Sequence, residues 1–312
     1  MRALVTGGNG FVGRYLAIDL REHGHEVVVA GRAADGGEID VPLEICDLDN
    51  VRGVVEAARA DVVFHLAAQA FVPQATREPL ATYDTNVMGT ARLLDALRAL
   101  PSGARPRLVF VSSGEVYGAH PAADLPLGEA ARTLPQTPYA ASKLAAESIV
   151  LASARTYGLS VVVSRAFNHI GPGQSDRFVV AAFAKRLAAI AAGGDALFPV
   201  GNLTPARDFL DVRDVARAYV ELAERGADGE IYNVCSGVPT RIQDILRQLV
   251  MTARVGVEIR EDPELMRPAD VAVFYGDNAK LKAATGWQPA YPLPRSLRDI
   301  YAAAVAQTAS GA

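Results

Sequence analysis

A doubly wound α/β fold, with helices covering both faces of a parallel sheet, is what this sequence predicts. Three observations carry the expectation. Short apolar runs alternate with helical patterns across residues 1–170, and several runs are apolar on both faces, as strands between two helical layers must be. A glycine cluster joins the first run to the first helix. The third is length: at 312 residues the chain exceeds one simple domain, so a smaller C-terminal α/β part is expected beside the main one.

Taken in order, the strands are expected at 2–6, 26–30, 43–46, 61–66, 108–112 and 160–165. The helices between them fall near 11–20, 50–59, 80–100 and 138–157, with Gly24 and Gly158 where helix C-terminal glycines belong. The next stretch, 167–176, reads as a loop through Gly171, Pro172 and Gly173, and a helix follows near 177–192. Glycine and proline punctuate 193–211; after it come a helix at 212–225 and a strand at 231–234 that returns to the first sheet. Thr240 and Gln243 stand in capping-box positions for a helix at 240–253. The remainder holds a short strand, a loop around Pro268 and a final helix from about residue 294. Residues 1–169 thus form the main unit, with returns near 207–236, and 170–312 mainly the smaller part; a clean two-domain split is not expected, since 170–206 and 239–292 build a lid over the sheet edge.

Composition excludes several classes. The chain is 50% hydrophobic and 21% charged, ordinary for a globular protein. Its 31 basic against 35 acidic residues, with no basic run, give no footing for nucleic acid. No stretch approaches the ~20 apolar residues of a membrane span. Cys46 and Cys235 lack metal-ligand spacing, so no metal is expected, and a reducing, cytoplasmic setting is the simpler expectation.

The chemistry concentrates in a few motifs. Gly8-x-Gly10-x-x-Gly13, preceded by Gly7, follows the first strand and opens a helix, which is the context a dinucleotide fingerprint requires. Gly7, Gly10, Phe11, Val12 and Gly13 are therefore candidate cofactor contacts. The second strand ends at Ala30-Gly31-Arg32 without the acid that would hold ribose hydroxyls, and Arg32 can pair a 2′-phosphate. NADP(H) is thereby favoured over NAD(H). Asp47-Leu48 lie in position for an adenine edge, and Leu66-Ala67-Ala68 offer small residues against which the cofactor can lie. His65 reads as a satisfied core histidine, and Asn86 as support for the region around Lys143.

Thr137 can cap a helix that begins at Pro138, which puts Tyr139 and Lys143 on one face. An ammonium one turn away should lower the phenol pKa and suit it to proton transfer. Ser113, after the fifth strand, can donate to a substrate carbonyl and share a hydrogen bond with Tyr139. Glu115 can either take a proton from carbon or fix a sugar hydroxyl.

Together the glycine fingerprint, Ser113 and the Tyr139/Lys143 pair resemble the extended short-chain dehydrogenase/reductases. The C-terminal half is similar to the GDP-sugar branch through Arg165-Ala-Phe-Asn168-His169-Ile-Gly-Pro-Gly, Arg207-Asp-Phe-Leu-Asp211, Tyr232-Asn-Val-Cys-Ser-Gly, Arg267-Pro-Ala-Asp270 and Thr285-Gly-Trp287. GDP-4-keto-6-deoxy-D-mannose reductases, which form GDP-D-rhamnose, are the branch most resembled, and GDP-mannose 4,6-dehydratases the nearest relatives. The resemblance implies a Rossmann-type cofactor domain and a smaller substrate domain for a GDP-sugar. It implies that Tyr139 protonates the C4 oxygen, Lys143 holds the nicotinamide ribose and Ser113 orients the carbonyl. Asn168 would contact the sugar nucleotide, His169 would lie near the nicotinamide or hexose, Arg207 and Arg267 would pair the pyrophosphate, and Asp270 would lie near the nucleotide. A homodimer through a four-helix bundle of 80–100 and 138–157 is a further expectation.

Alternatives remain within this reading. A dehydratase or bifunctional enzyme would use Ser113-Gly114-Glu115 as its hydroxyl and acid; a C4-epimeric reductase would make GDP-6-deoxy-D-talose. The chain is short for a GDP-mannose dehydratase and lacks an arginine-rich insertion after the second strand. A non-catalytic NADP(H)-sensing regulator would be expected to lack Tyr139 or Lys143.

Overall fold

The computed structural model describes residues 1–33, 37–266 and 271–310. The first half runs β1 (Arg2–Thr6), α1 (Phe11–Glu22), β2 (Glu26–Gly31), β3 (Val41–Pro42), α2 (Leu48–Ala58), β4 (Val62–His65), α3 (Val72–Arg77), α4 (Pro79–Tyr83), α5 (Gly89–Ala99), β5 (Arg107–Ser113), α6 (Pro138–Tyr157) and β6 (Val161–Ala166). The second half runs β7 (Asn168–Ile170), α7 (Val179–Ala191), β8 (Leu197–Val200), β9 (Ala206–Asp211), α8 (Val212–Arg225) and β10 (Ile231–Val234). It closes with β11 (Pro239–Arg241), α9 (Ile242–Ala253), β12 (Glu258–Glu261), β13 (Val273–Phe274), α10 (Ala279–Thr285) and α11 (Leu293–Ser310).

Seven strands form the central sheet in the order β10-β6-β5-β4-β1-β2-β3, all parallel. Side chains alternate between the two faces of a strand, and here both sets are apolar. Leu4, Val63, Leu108, Phe110, Val161 and Val163 pack against α2, α5 and α6 through Val54, Leu93, Leu97, Ala146 and Val150. Their neighbours Ala3, Val5, Val62, Phe64, Val109 and Val162 pack against α1 and α8 through Leu16, Leu20, Val215, Tyr219 and Leu222. That double burial is why the runs read as continuous. Each such aliphatic side chain contributes about 1.5–3 kcal/mol relative to exposure.

The strand order turns around between β1 and β4, and the carboxyl ends of the strands at that point are where an open α/β sheet takes its ligand. Strand β10 pairs with β6, as expected for 231–234. A second layer stands above those ends. In it β9 pairs with β11, β13 and β7, while β8 pairs with β12. Helices α7, α9 and α11 share a separate core there through Val180, Leu187, Leu246, Leu249, Leu297 and Ile300.

Some expectations are corrected. The strand expected at 43–46 is displaced to Val41–Pro42. Leu43 and Ile45 are buried, but the chain turns there and Asp47 caps α2, so their apolar character serves a turn rather than a strand. The helix expected at 80–100 is interrupted by a π-helical turn over Asp84–Met88. The capping box at Thr240 does not form: Thr240 pairs with Arg207 in β11, and α9 begins after Arg241 with no side-chain cap. Residues 193–211 contain two strands, β8 and β9, and the loop at 167–176 contains β7.

Candidate active site

Helix α6 is built as its sequence dictates. The Thr137 hydroxyl accepts from Ala140 N at 3.1 Å, and Pro138 fills the first turn, where a backbone donor is not needed. Tyr139 and Lys143 both come out buried on the face turned to β5. Lys143 Nζ donates to the Val111 carbonyl at 2.8 Å. Burial pushes its ammonium down to about 8, against the attraction of Glu147.

Strand β5 ends at Ser113, which begins a short 3-10 turn and accepts from Glu115 N at 3.2 Å. The Ser113 hydroxyl lies beside the Tyr139 phenol, close enough to lower its pKa. Its neighbour Ser112 is committed elsewhere, donating to Glu147 Oε1 at 2.5 Å. Burial pushes the Tyr139 phenol up to about 12; the Ser113 hydroxyl pulls it down and the Glu115 charge raises it further. The lowering expected from Lys143 is not found: desolvation dominates the Tyr139 shift, and the ammonium is aimed at a backbone carbonyl. At neutral pH the phenol is a proton donor.

The glycine loop lies against the end of β4. A Cβ on Gly7, whose φ is +69°, would stand 2.8 Å from Ala67 N, and one on Gly13 would stand 2.5 Å from the Gly7 carbonyl. Helix α1 starts after Gly10 with no side-chain cap and no acid in its first turn. Its first N–H groups, at Phe11, Val12 and Gly13, thus form an uncapped donor set in a cradle that Cβ atoms would fill. The residues fit a dinucleotide pyrophosphate. Asn9 Nδ2 donates to the Arg32 carbonyl at 2.9 Å, tying Arg32 to this loop. Asp47 is an exposed helix cap, its Oδ1 accepting from Asp49 N at 3.0 Å and Asn50 N at 3.1 Å. Leu48 is the first residue of α2 beside it.

A buried chain of hydrogen bonds joins this loop to α6. Thr90 donates to the Asn86 carbonyl at 2.7 Å, so it accepts from His65 Nε2 at 3.1 Å. His65 Nδ1 then accepts from Thr6 Oγ1 at 2.7 Å, while Ala67 N donates to that hydroxyl at 3.4 Å. Asn86 Nδ2 donates to Ser142 Oγ at 2.9 Å, next to Lys143, and its Oδ1 accepts from Gln69 N at 2.8 Å. The readings of His65 as a core histidine and of Asn86 as a support agree with these bonds.

Burial and the Lys143 charge push His65 down to about 3 from 6.5. Between those values the unfolded chain binds a proton that the folded chain does not, so stability rises with pH across this window and is lost as pH falls through it. The variant His65→Gln is expected to flatten the dependence of melting temperature on pH below 6.5, as thermal melts at stepped pH would show.

On the substrate side, β7 carries His169 over the start of α1, its ring stacked on Phe11 with centroids 6.2 Å apart. Its Nδ1 donates to the Phe167 carbonyl at 3.1 Å, leaving Nε2 as the acceptor, and burial lowers its pKa. Asn168 is the preceding residue of β7, in register with Phe209 of β9. Arg207 lies in β9 between β11 and β13, its Nη1 donating to the Val271 carbonyl at 2.6 Å. Arg267 and Asp270 lie outside the described residues. Among the described residues no cluster of side chains suits a metal ion, and no helix is long and apolar enough to cross a membrane.

The family profile for GDP-mannose 4,6 dehydratase matches residues 4–300. The chain belongs to that family. Within reach of the GDP-mannose 4,6 dehydratase family it is similar to the GDP-6-deoxy-D-mannose reductase of Pseudomonas aeruginosa. The two are 40% identical over 302 residues, covering 96% of this chain and 95% of that protein. It is also similar to the GDP-6-deoxy-D-talose 4-dehydrogenase of Aggregatibacter actinomycetemcomitans, 30% identical over 92% of each. A solved structure of RMD from Pseudomonas aeruginosa complexed with NADPH matches at a TM-score of 0.90. There the identity is 37%, over 98% of this chain and 100% of that one.

Two features of this family member escaped sequence reasoning. Asn9, inside the fingerprint, fixes the β2 end: a Cβ on Gly31 would collide with its side chain. Glu147 of α6 and Arg165 of β6 form a buried ion pair at 2.8 Å. The spacing of Glu147, four residues beyond Lys143, was the available signal.

Proposed function

We propose that this chain is an NADPH-dependent reductase that converts the C4 ketone of GDP-4-keto-6-deoxy-D-mannose to the alcohol of GDP-D-rhamnose. The observation that carries this reading is the placement of Tyr139 beside Ser113 at the end of β5, where the hydroxyl pulls the phenol pKa down, with Lys143 anchored behind it and the glycine loop alongside. NADPH, when bound, supplies the hydride to C4. Ser113 donates a hydrogen bond to the C4 oxygen and orients it. Tyr139 gives its phenolic proton to that oxygen as negative charge develops there, which completes the alcohol. The Lys143 ammonium favours the phenolate left on Tyr139 and holds the nicotinamide ribose.

Gly7, Gly10, Phe11, Val12 and Gly13 hold the pyrophosphate of the cofactor, Leu66, Ala67 and Ala68 line its path, and Asp47 and Leu48 lie toward the adenine. Arg32 meets the 2′-phosphate. The variant Arg32→Ala is expected to weaken NADPH about tenfold while sparing NADH, a change of about 1.4 kcal/mol that initial-rate measurements with each cofactor would check. Asn168, His169, Arg207, Arg267 and Asp270 receive the GDP-sugar, with the guanidinium groups matched to its phosphates. Residues 1–169, with the returns near 207–236, serve the cofactor, and 170–312 mainly the substrate.

Product NMR after incubation with GDP-4-keto-6-deoxymannose and NADPH tests the reading and assigns C4; the rhamno product is expected, and a talo product would replace it. Glu115 keeps a dehydratase reading in view, because an acid there can act on carbon. GDP-mannose without added reductant is expected to stay unchanged, and a 4-keto product would overturn the pure reductase. The product would feed nucleotide-sugar metabolism for surface polysaccharide such as lipopolysaccharide, in the cytoplasm. A homodimer through a four-helix bundle fits the exposed face of α6 at Ala145, Ser148 and Ala152 beside the exposed Leu80 and Met88. Sedimentation of a monomer would refute it.

A further inference from the structure

Tyr139, Lys143 and Glu147 fall at successive i,i+4 positions, so one face of α6 presents all three to the sheet. Lys143 grips the Val111 carbonyl at 2.8 Å, and Glu147 accepts from the hydroxyl of the next residue, Ser112, at 2.5 Å. The following residue is Ser113. Glu147 is held in turn by Arg165, whose Nη2 donates to Oε2 at 2.8 Å and Nε to Oε1 at 3.0 Å. Arg165 sits directly opposite Ser112 in the β5–β6 register. Its guanidinium lies 4.8 Å from the Tyr117 ring centre, and the Tyr117 hydroxyl donates to Asn233 of β10 at 2.7 Å. All of these side chains are buried, so the arrangement has two points of grip on β5 and a backing on β6 and β10.

We propose that Glu147, backed by Arg165, is a positioning residue for the reduction, locking the rotation of α6 against β5 so that Tyr139 and Lys143 face Ser113. The proposal rests on the reductase reading for its kinetic test only. Beside the Asn86 bond to Ser142 and the packing of Ala146 and Val150, a second polar grip on β5 one turn beyond Val111 narrows the rotation left to the helix. The carboxylate is also the charged partner nearest Lys143 along its own helix. The other titratable groups around Lys143 are His65 on β4 and Tyr139 on α6, with Glu115 acting on Tyr139.

The chain contains four lysines, Lys143, Lys185, Lys280 and Lys282, so labelling lysine Cε for NMR isolates the Lys143 titration. In the wild type its midpoint is expected near 8. In Glu147→Gln it should fall by about one unit. The same variant should lose about tenfold or more in kcat, with the KM for the GDP-sugar within about twofold, since the substrate arms lie elsewhere. The double variant Glu147→Leu/Arg165→Met removes both charges together and should recover most of any lost thermal stability. Its kcat should stay low. An unmoved Lys143 midpoint, or a kcat that recovers with stability in the double variant, would overturn the proposal. If wild-type protein does not reduce the 4-keto sugar, the reductase reading fails, and the Lys143 titration in Glu147→Gln still decides the clamp.

Discussion

Tyr139→Phe is expected to lower kcat for reduction of the 4-keto sugar about 100- to 10,000-fold, the range that a positioned acid contributes. The substitution removes one oxygen from a buried site. Ring packing survives, and the partner left behind is the Ser113 hydroxyl, which retains the Glu115 amide. NADPH binding should be nearly unchanged, because the glycine cradle and Lys143 are untouched. Steady-state kinetics with a parallel cofactor titration checks both halves. Unchanged reduction by this variant would revive the reading of a non-catalytic NADP(H) sensor. The elevated phenol bears on the direction of chemistry as well. With its pKa at about 12, Tyr139 is protonated across the physiological range, which suits a group whose task is to give a proton away.

The second large effect is expected at Gly13→Ala. A single methyl there would meet the Gly7 carbonyl and the Gly8 Cα, each 2.5 Å away, and both are backbone atoms that no rotamer can move. The loop must open, at a cost of about 1–3 kcal/mol in packing. The first-turn donors of α1 would then no longer converge on one point. NADPH affinity should fall by about 100-fold or more, whereas the same change at Gly103, where a Cβ would have open space, should leave it alone. Fluorescence titration of NADPH against both variants makes the comparison. Equal affinities would remove the glycine loop from the cofactor site.

The sheet was legible because its strands are buried on both faces, and so Leu4 and Val5, or Val62 and Val63, are equally apolar. Where burial and extension part company, legibility fails: Leu43 and Ile45 are as buried as strand residues yet lie in a turn. The fault at Thr240 is of the same kind. A hydroxyl three residues ahead of Gln243 has the form of a capping box, but pairing with β9 claims the backbone first. Local motifs in the site could be read because they are contiguous or one helical turn apart, as with Gly7–Gly13 and Tyr139/Lys143. What could not be read is contact between distant segments. The Thr6–His65–Thr90 chain spans three elements, and Arg165 reaches Glu147 only once β6 lies under α6. The substrate side is legible mainly through resemblance, since Asn168 and Arg207 are ordinary strand residues until β7 and β9 are paired.

The threading of the two layers sets a limit on how the molecule can be re-engineered. The chain leaves the parallel sheet after β6, returns to it for α8 and β10, leaves again for β11 to β13, and comes back with α10 before α11 departs. The part proposed to receive the sugar is therefore not a cassette. If that assignment holds, grafting another sugar preference means exchanging several discontinuous stretches at once, because β9 and α8 are joined without a linker at Asp211–Val212. Specificity in this architecture is open to change by point substitution and resistant to transplantation.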